Sequence, residues 1–258
     1  MNILAAPRAR AGYSDAEWAI RCDLAALYRL VAHHRWTDFI YTHLCARLPG
    51  PDHHFLINRY GVNFHEMCAS DLVKVDLDGN VIEPDDGQSR RVNAAGFTIH
   101  SAIHMARPDL LCVVHTHTAA GIAVSAHPDG LLPISQHALK FYGYLGYHGY
   151  EGIALDLAER ERLVADLGQH KAMVLQNHGL LVGGTSIAEA FHMTYMLERA
   201  CAAQVAALAG GQTLLTPPEE VRRHTAEQFR RQENDDHYVM VWDAALRLIA
   251  HDRTDWRS

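Results

Sequence analysis

The chain has 258 residues, 30 Asp and Glu against 23 Lys and Arg, a net charge of −7 and 19 histidines. That length can bury a full core as one domain. The acidic balance, with no block of Lys or Arg, argues against nucleic acid as a partner, and no apolar run is long enough to cross a bilayer.

Residues 1–13 read as a loose tail, and 14–258 as a single domain. Met1 to Ala6 is too short for a secretory signal, so a cytoplasmic location is expected, with no membrane partner. Ser14-Asp-Ala-Glu17 has the form of a capping box and opens a helix to about His34. Trp36 to Leu48 and Phe55 to Ile57 read as parts of a sheet, broken by Pro49-Gly50-Pro51. Gly96 to Ala106 and Ala119 to Ala126 read as helices. Between them, Leu111 to His117 is an apolar, β-branched strand behind the break at Arg107-Pro108-Asp109. Leu155 to Leu167 reads as a surface helix of mixed charge. Ala172 to Gln176 and Leu180 to Val182 are two further strands, joined by a turn at Asn177-His178-Gly179. Ser186-Ile-Ala-Glu189 is a second capping box before a helix to about Leu208, closed by Gly210-Gly211. Thr216-Pro217-Pro218 leads into a polar helix and then Val239 to Ile249. The five cysteines, Cys22, Cys45, Cys68, Cys112 and Cys201, are odd in number and lack paired spacing. They read as reduced and mostly buried.

Chemistry concentrates at the end of the Leu111 strand. Residues two apart on a strand share a face, so His115 and His117 project together with Thr116 opposite. His178 can close a three-imidazole set if its turn is a spatial neighbour. Such a set with an open position suits Zn²⁺, Mn²⁺, Fe²⁺ or Co²⁺. The pair alone means little, since 19 histidines give about one His-x-His by chance. His100 and His104, four apart on a helix, read first as one helix face. His33-His34 and His53-His54 are adjacent and cannot share a face.

From about Leu24 to Trp242 the chain resembles the class II aldolase/adducin family. The matching segments are Ser70 to Val81, Ile103 to Asp109, His115-Thr116-His117, Tyr150-Glu151-Gly152, Asn177 to Leu181 and Glu198 to Cys201. The resemblance implies a three-layer α/β/α sandwich around a central, mainly antiparallel sheet. It implies one divalent metal ion per subunit (Zn, Mn, Fe or Co) on His115, His117 and His178. It also implies a homotetramer with active sites at subunit interfaces.

The match departs from the sugar-phosphate aldolases of that family. Their glutamate, shortly before the helix that leads to His-x-His, corresponds to Gly96 here. Their phosphate-binding elements correspond to Thr42-His43, to Arg59-Tyr60-Gly61 and to Ala94-Ala95. A dianionic phosphate needs backbone donors, hydroxyls or fixed cations, and most of these are absent. Arg59 could still meet a carboxylate. Without the glutamate a neighbouring group must move protons. His137 and Tyr142, in the aromatic stretch Ser135 to His148, are the acid/base candidates, although such tyrosines also serve as interface residues with a polar tip. The expected function is therefore a metal-dependent lyase acting on a non-phosphorylated, oxygenated small-molecule acid or carbonyl compound by aldol cleavage or decarboxylation. A non-haem Fe(II) oxygenase and a non-catalytic, adducin-like interaction module are the alternatives.

Overall fold

The computed structural model describes residues 12–82, 91–152, 158–252 and 255–258. In chain order its elements are α1 (Asp15–His33), β1 (His43–Arg47), β2 (Phe55–Asn58), β3 (Leu72–Val75), α2 (Ala94–Ala106), β4 (Cys112–Thr116), α3 (Ala119–Ser125), α4 (Gln136–Leu139), β5 (Leu145–His148), α5 (Glu159–Leu167), β6 (Ala172–Leu175), β7 (Gly179–Gly184), α6 (Ile187–Leu208), α7 (Glu219–Gln232) and α8 (Asp235–Leu246). The expected tail lies outside the described residues up to Ala11, as does the start of the helix expected from Leu155.

The strands form one seven-stranded sheet in the order β3-β2-β1-β4-β7-β6-β5. Every pairing is antiparallel except β5 with β6, which α5 joins by a crossover. Burial follows the period of two. Leu44, Ala46, Leu56, Cys112 and Val114 pack under α1, α6 and α8. Cys45, Phe55, Ile57 and Val113 point the other way, under α2 and α5. Both faces are covered, which is why the strands read as nearly unbroken apolar runs. This is the expected α/β/α sandwich with a mainly antiparallel sheet. Among the described residues no helix is long and apolar enough to cross a membrane.

Three readings need correction. The strand expected over Trp36 to Leu48 begins only at His43. Before it the chain turns, with Arg35 at φ 60° and Phe39 at φ 50°, because the chain must pass from the end of α1 into β1, an interior strand between β2 and β4. The two capping boxes form only on the serine side. Ser14 Oγ accepts from the Glu17 amide and Ser186 Oγ from the Glu189 amide, each at 3.1 Å. The Glu17 carboxylate instead meets Arg21 and Lys74, and that of Glu189 meets Thr185 and Lys171. A nearby cation draws a carboxylate more strongly than a backbone amide does.

Candidate metal centre

The site forms where β4 and the β6–β7 turn end at the same level of the sheet. β7 pairs with β4 in the register Thr116↔Leu180 and His115↔Leu181, so residues just past Thr116 lie beside those just before Leu180. Asn177 takes the left-handed region at φ 55°, which Asn tolerates, and this tight turn swings His178 towards β4. Gly179 is required by the close approach: a Cβ there would stand 2.3 Å from the Thr116 carbonyl oxygen.

The three histidines converge. Their ring centroids lie 4.6 Å (His115–His117), 4.8 Å (His115–His178) and 4.7 Å (His117–His178) apart. One donor nitrogen from each lies within 4.8 Å of the others. The hydrogen bonds around them fix which nitrogens face inward. His115 Nδ1 is 2.9 Å from the Leu180 carbonyl oxygen, which only accepts, so Nδ1 carries the proton. His117 Nδ1 is 3.0 Å from an Asp38 carboxylate oxygen, so it too is a donor. In the neutral, metal-binding form of the two rings both Nε2 atoms present lone pairs, and they stand 2.8 Å apart. Two lone pairs at that distance repel unless a cation sits between them. The donor set thus fits a divalent ion held through imidazole Nε2 atoms, each oriented by a partner on its other nitrogen.

Electrostatics keep His115 and His178 neutral. Burial, then the neighbouring His178 and His117, holds His115 well below the usual imidazole range. Burial, then His117 and His148, holds His178 at about 4. Neutral imidazole is the ligand form. Behind the strand, Glu198 of α6 accepts from Thr116 Oγ1 at 2.6 Å and Thr118 Oγ1 at 2.7 Å. It grips the segment on the face opposite the histidines. Both lie about 80 positions from the residues they hold: Asp38 sits in no motif, and Glu198, although it opens the matched segment Glu198 to Cys201, carries no sign there of the threonines it grips. Asp38→Asn is expected to lower metal affinity roughly 10- to 100-fold, the usual cost of losing a ligand's partner, without unfolding the chain. A chelator-competition titration measures it, and unchanged affinity would remove Asp38 from the site.

The position of the missing glutamate is filled. A Cβ on Gly96 would lie 2.4 Å from three ring atoms of His43. The His43 ring is buried, stacks on His115 at 6.3 Å and has neither nitrogen hydrogen-bonded. Burial, then His117 and His178, holds it at about 4. His100 and His104 turn away from the triad, their Nδ1 and Nε2 lying 2.6 and 2.9 Å from Cys45 Sγ, and burial holds His104 at about 3.

These histidines set an acid limit for the metal-free protein. Unfolded, each would titrate near 6.5, while His43, His104 and His178 titrate near 4, 3 and 4 in the fold. Below 6.5 the unfolded chain binds more protons than the folded one. Their contribution is therefore complete above pH 6.5 and is lost as pH falls through 4 towards 3. Thermal melts of the apo-protein should show Tm falling across that window. A flat profile would show that these rings are not buried neutral.

His137 and Tyr142 stand elsewhere. His137 lies in α4, half-buried, and burial, then Arg199, lowers its titration. Tyr142 donates to Glu219 of α7 and lies under the Arg222 guanidinium at 5.7 Å. Neither contacts the three imidazoles of its own chain.

Residues 22–205 match the Class II Aldolase and Adducin N-terminal domain, and the chain belongs to that family. It is 56% identical over 217 residues to a Caulobacter vibrioides protein named after class 2 aldolases, covering 84% of this chain and 83% of that one. With alpha-adducin of Rattus norvegicus it shares 46% over 199 residues, 76% of this chain but 27% of adducin. Among solved structures, an aldolase II superfamily protein of Pseudomonas syringae superimposes with a TM-score of 0.90 at 53% identity, covering 95% of this chain and 98% of that one. The L-fuculose 1-phosphate aldolase of Glaciozyma antarctica gives 0.81 at 30%, covering 95% and 94%.

Proposed function

We propose that this protein is a divalent-metal-dependent lyase that cleaves or decarboxylates a non-phosphorylated acid or carbonyl compound with adjacent oxygen functions. His115, His117 and His178 would hold one ion per subunit, of Zn, Mn, Fe or Co. The observation that carries the reading is the pair of inward Nε2 lone pairs 2.8 Å apart, which calls for a cation. The bound ion supplies Lewis-acid polarisation of substrate oxygen. The chain does the rest: Asp38 keeps the proton on His117 Nδ1, the Leu180 carbonyl keeps that on His115 Nδ1, and Glu198 fixes the strand between them.

The name of the Glaciozyma relative pulls towards sugar phosphates. Three features of this chain support a different substrate. Arg59 is paired with Asp71 at 2.6 Å, Thr42 is fully buried, and His43 points inward against Gly96. None of these is free to meet a phosphate. The exposed aromatics Phe39, Tyr41 and Tyr150 lie near in sequence to Asp38 or, for Tyr150, 6.5 Å from the His178 ring. They suit either a substrate or a neighbouring subunit. In the homotetramer that family membership suggests, His137 and Tyr142 would serve as acid and base only by reaching a neighbour's triad.

The test is a mass-spectrometric screen of apo-protein loaded with one metal at a time, in air and under argon. Hydroxy and keto acids are expected to be cleaved with Zn²⁺, Mn²⁺ or Co²⁺ and without O₂, and fuculose and ribulose phosphates to be untouched. Turnover of a sugar phosphate at ordinary enzymatic rates would refute the substrate class, and activity with Fe²⁺ alone that consumes O₂ would refute the lyase. The adducin-like reading has one observation in its favour, the 46% identity with alpha-adducin. A scaffold, however, has no need of three converging imidazoles.

A further inference from the structure

A second group of metal-ligating side chains lies at the α7–α8 junction, away from the histidine triad. His192 comes from α6. Glu233 caps the end of α7, and His237 stands in the first turn of α8, where its amide donates to the Asn234 cap at 3.0 Å. Each offers one donor atom, and the three lie within 4.8 Å of one another. His192 Nε2 is 2.9 Å from Glu233 Oε1. The His192 and His237 rings meet edge to face at 5.1 Å. Two of the three donors fall beyond the family match, which ends at residue 205, so the shared family fold does not account for them.

We propose that His192, Glu233 and His237 form a second divalent-cation site, of the Zn²⁺ type, that pins the α7–α8 turn onto α6.

Several features point to a ligand here. His237 Nε2 is buried and has no hydrogen-bond partner. A buried ring nitrogen left bare is costly, and a metal ion relieves it. Two imidazoles and one carboxylate form a donor set that Zn²⁺ takes up. The carboxylate is held ready. Its other oxygen accepts from Lys140 and, at 3.2 Å, from Tyr238, leaving Oε1 for the site. Donor atoms sharing one tetrahedral ion at about 2.0–2.1 Å stand roughly 3.3 Å apart. The present spacings, 2.9 Å between His192 and Glu233 and at most 4.8 Å across the three, lie within about 1.5 Å of that value, with the ion replacing the proton between His192 and Glu233. Three protein donors leave one position to water.

The competing account is a plain ion network, in which Lys140 and His192 neutralise Glu233 and nothing else binds. The two accounts separate in tag-free protein. The His115→Ala/His117→Ala/His178→Ala variant, stripped with chelator and titrated with Zn²⁺ against a chromophoric competitor, is expected to bind one equivalent and to melt higher when loaded. Adding His237→Gln, or Glu233→Gln, should abolish both effects while circular dichroism stays native. If the triple variant does not fold, Co²⁺ spectra of the otherwise wild-type chain serve instead: two equivalents should fall to one on His237→Gln. Absence of Zn²⁺ binding by the folded triple variant, or binding that survives both His237→Gln and Glu233→Gln, overturns the proposal. A single Co²⁺ equivalent unaffected by His237→Gln does the same. Because the triple variant lacks the triad, this result is independent of the proposed lyase function.

Discussion

His178→Ala is expected to lower turnover by roughly 10³-fold or more and to release the ion from the triad, while leaving the fold in place. Two imidazoles remain, and two rarely retain a labile ion against water and chelators. Lewis-acid polarisation contributes several kcal/mol, and 1.36 kcal/mol is a decade in rate. The fold survives because His178 sits in a turn at the sheet end and only its ring is removed. Its backbone amide still bonds the Leu175 carbonyl at 3.0 Å, and the turn keeps Asn177 and Gly179. Removing one of three mutually repelling rings also costs the apo-protein nothing electrostatically. His100→Ala and His104→Ala are the controls. Both rings lie against Cys45, so metal at the triad should be unchanged. Elemental analysis and circular dichroism of the purified variants decide it: full metal at the triad in His178→Ala would show that the ion is held by other groups.

Gly96→Ala carries the second large effect, and its sign is unusual. In a helix this change ordinarily stabilises by about 0.5–1 kcal/mol. Here the new methyl would meet the His43 ring at 2.4 Å, and that ring is buried between the rings of His100 and His115. Overpacking of this kind costs about 1–3 kcal/mol. In a chain of this size each kcal/mol moves Tm by about 2–4 °C. Gly96→Ala should therefore melt several degrees lower. Adding His43→Ala should recover most of the loss, since the methyl then has room. The same reasoning makes His43→Ala/Gly96→Glu the variant that can place a carboxylate beside the triad, whereas Gly96→Glu alone should not fold well. A Gly96→Ala protein as stable as the parent would mean that His43 does not fill this space.

What was legible in the sequence depended on distance along the chain. The triad was, because period-two alternation and a three-residue turn are local signals that survive without a structure. The sandwich came from family resemblance. The absence of a glutamate at Gly96 was readable, but its consequence was not. His43 sits about 50 positions earlier, on β1, in a segment matched to a phosphate loop, and only the packing of α2 against β1 brings it to Gly96. Asp38 was hidden for a different reason. Its segment reads as sheet, whereas positive φ at Arg35 and Phe39 makes it a turn beside the site. The cluster of His192, Glu233 and His237 combines three helices, and no spacing rule links residue 192 to a junction 40 positions on.

The central claim is that a metal ion sits among His115, His117 and His178. Anomalous scattering at the absorption edge of the bound metal, from crystals of protein loaded with that metal, tests it most directly. A peak is expected about 2.0–2.1 Å from one nitrogen of each of the three rings, with His115 and His117 engaged through Nε2. No peak among these rings in fully loaded protein, whatever is seen beside His192 and Glu233, would contradict it.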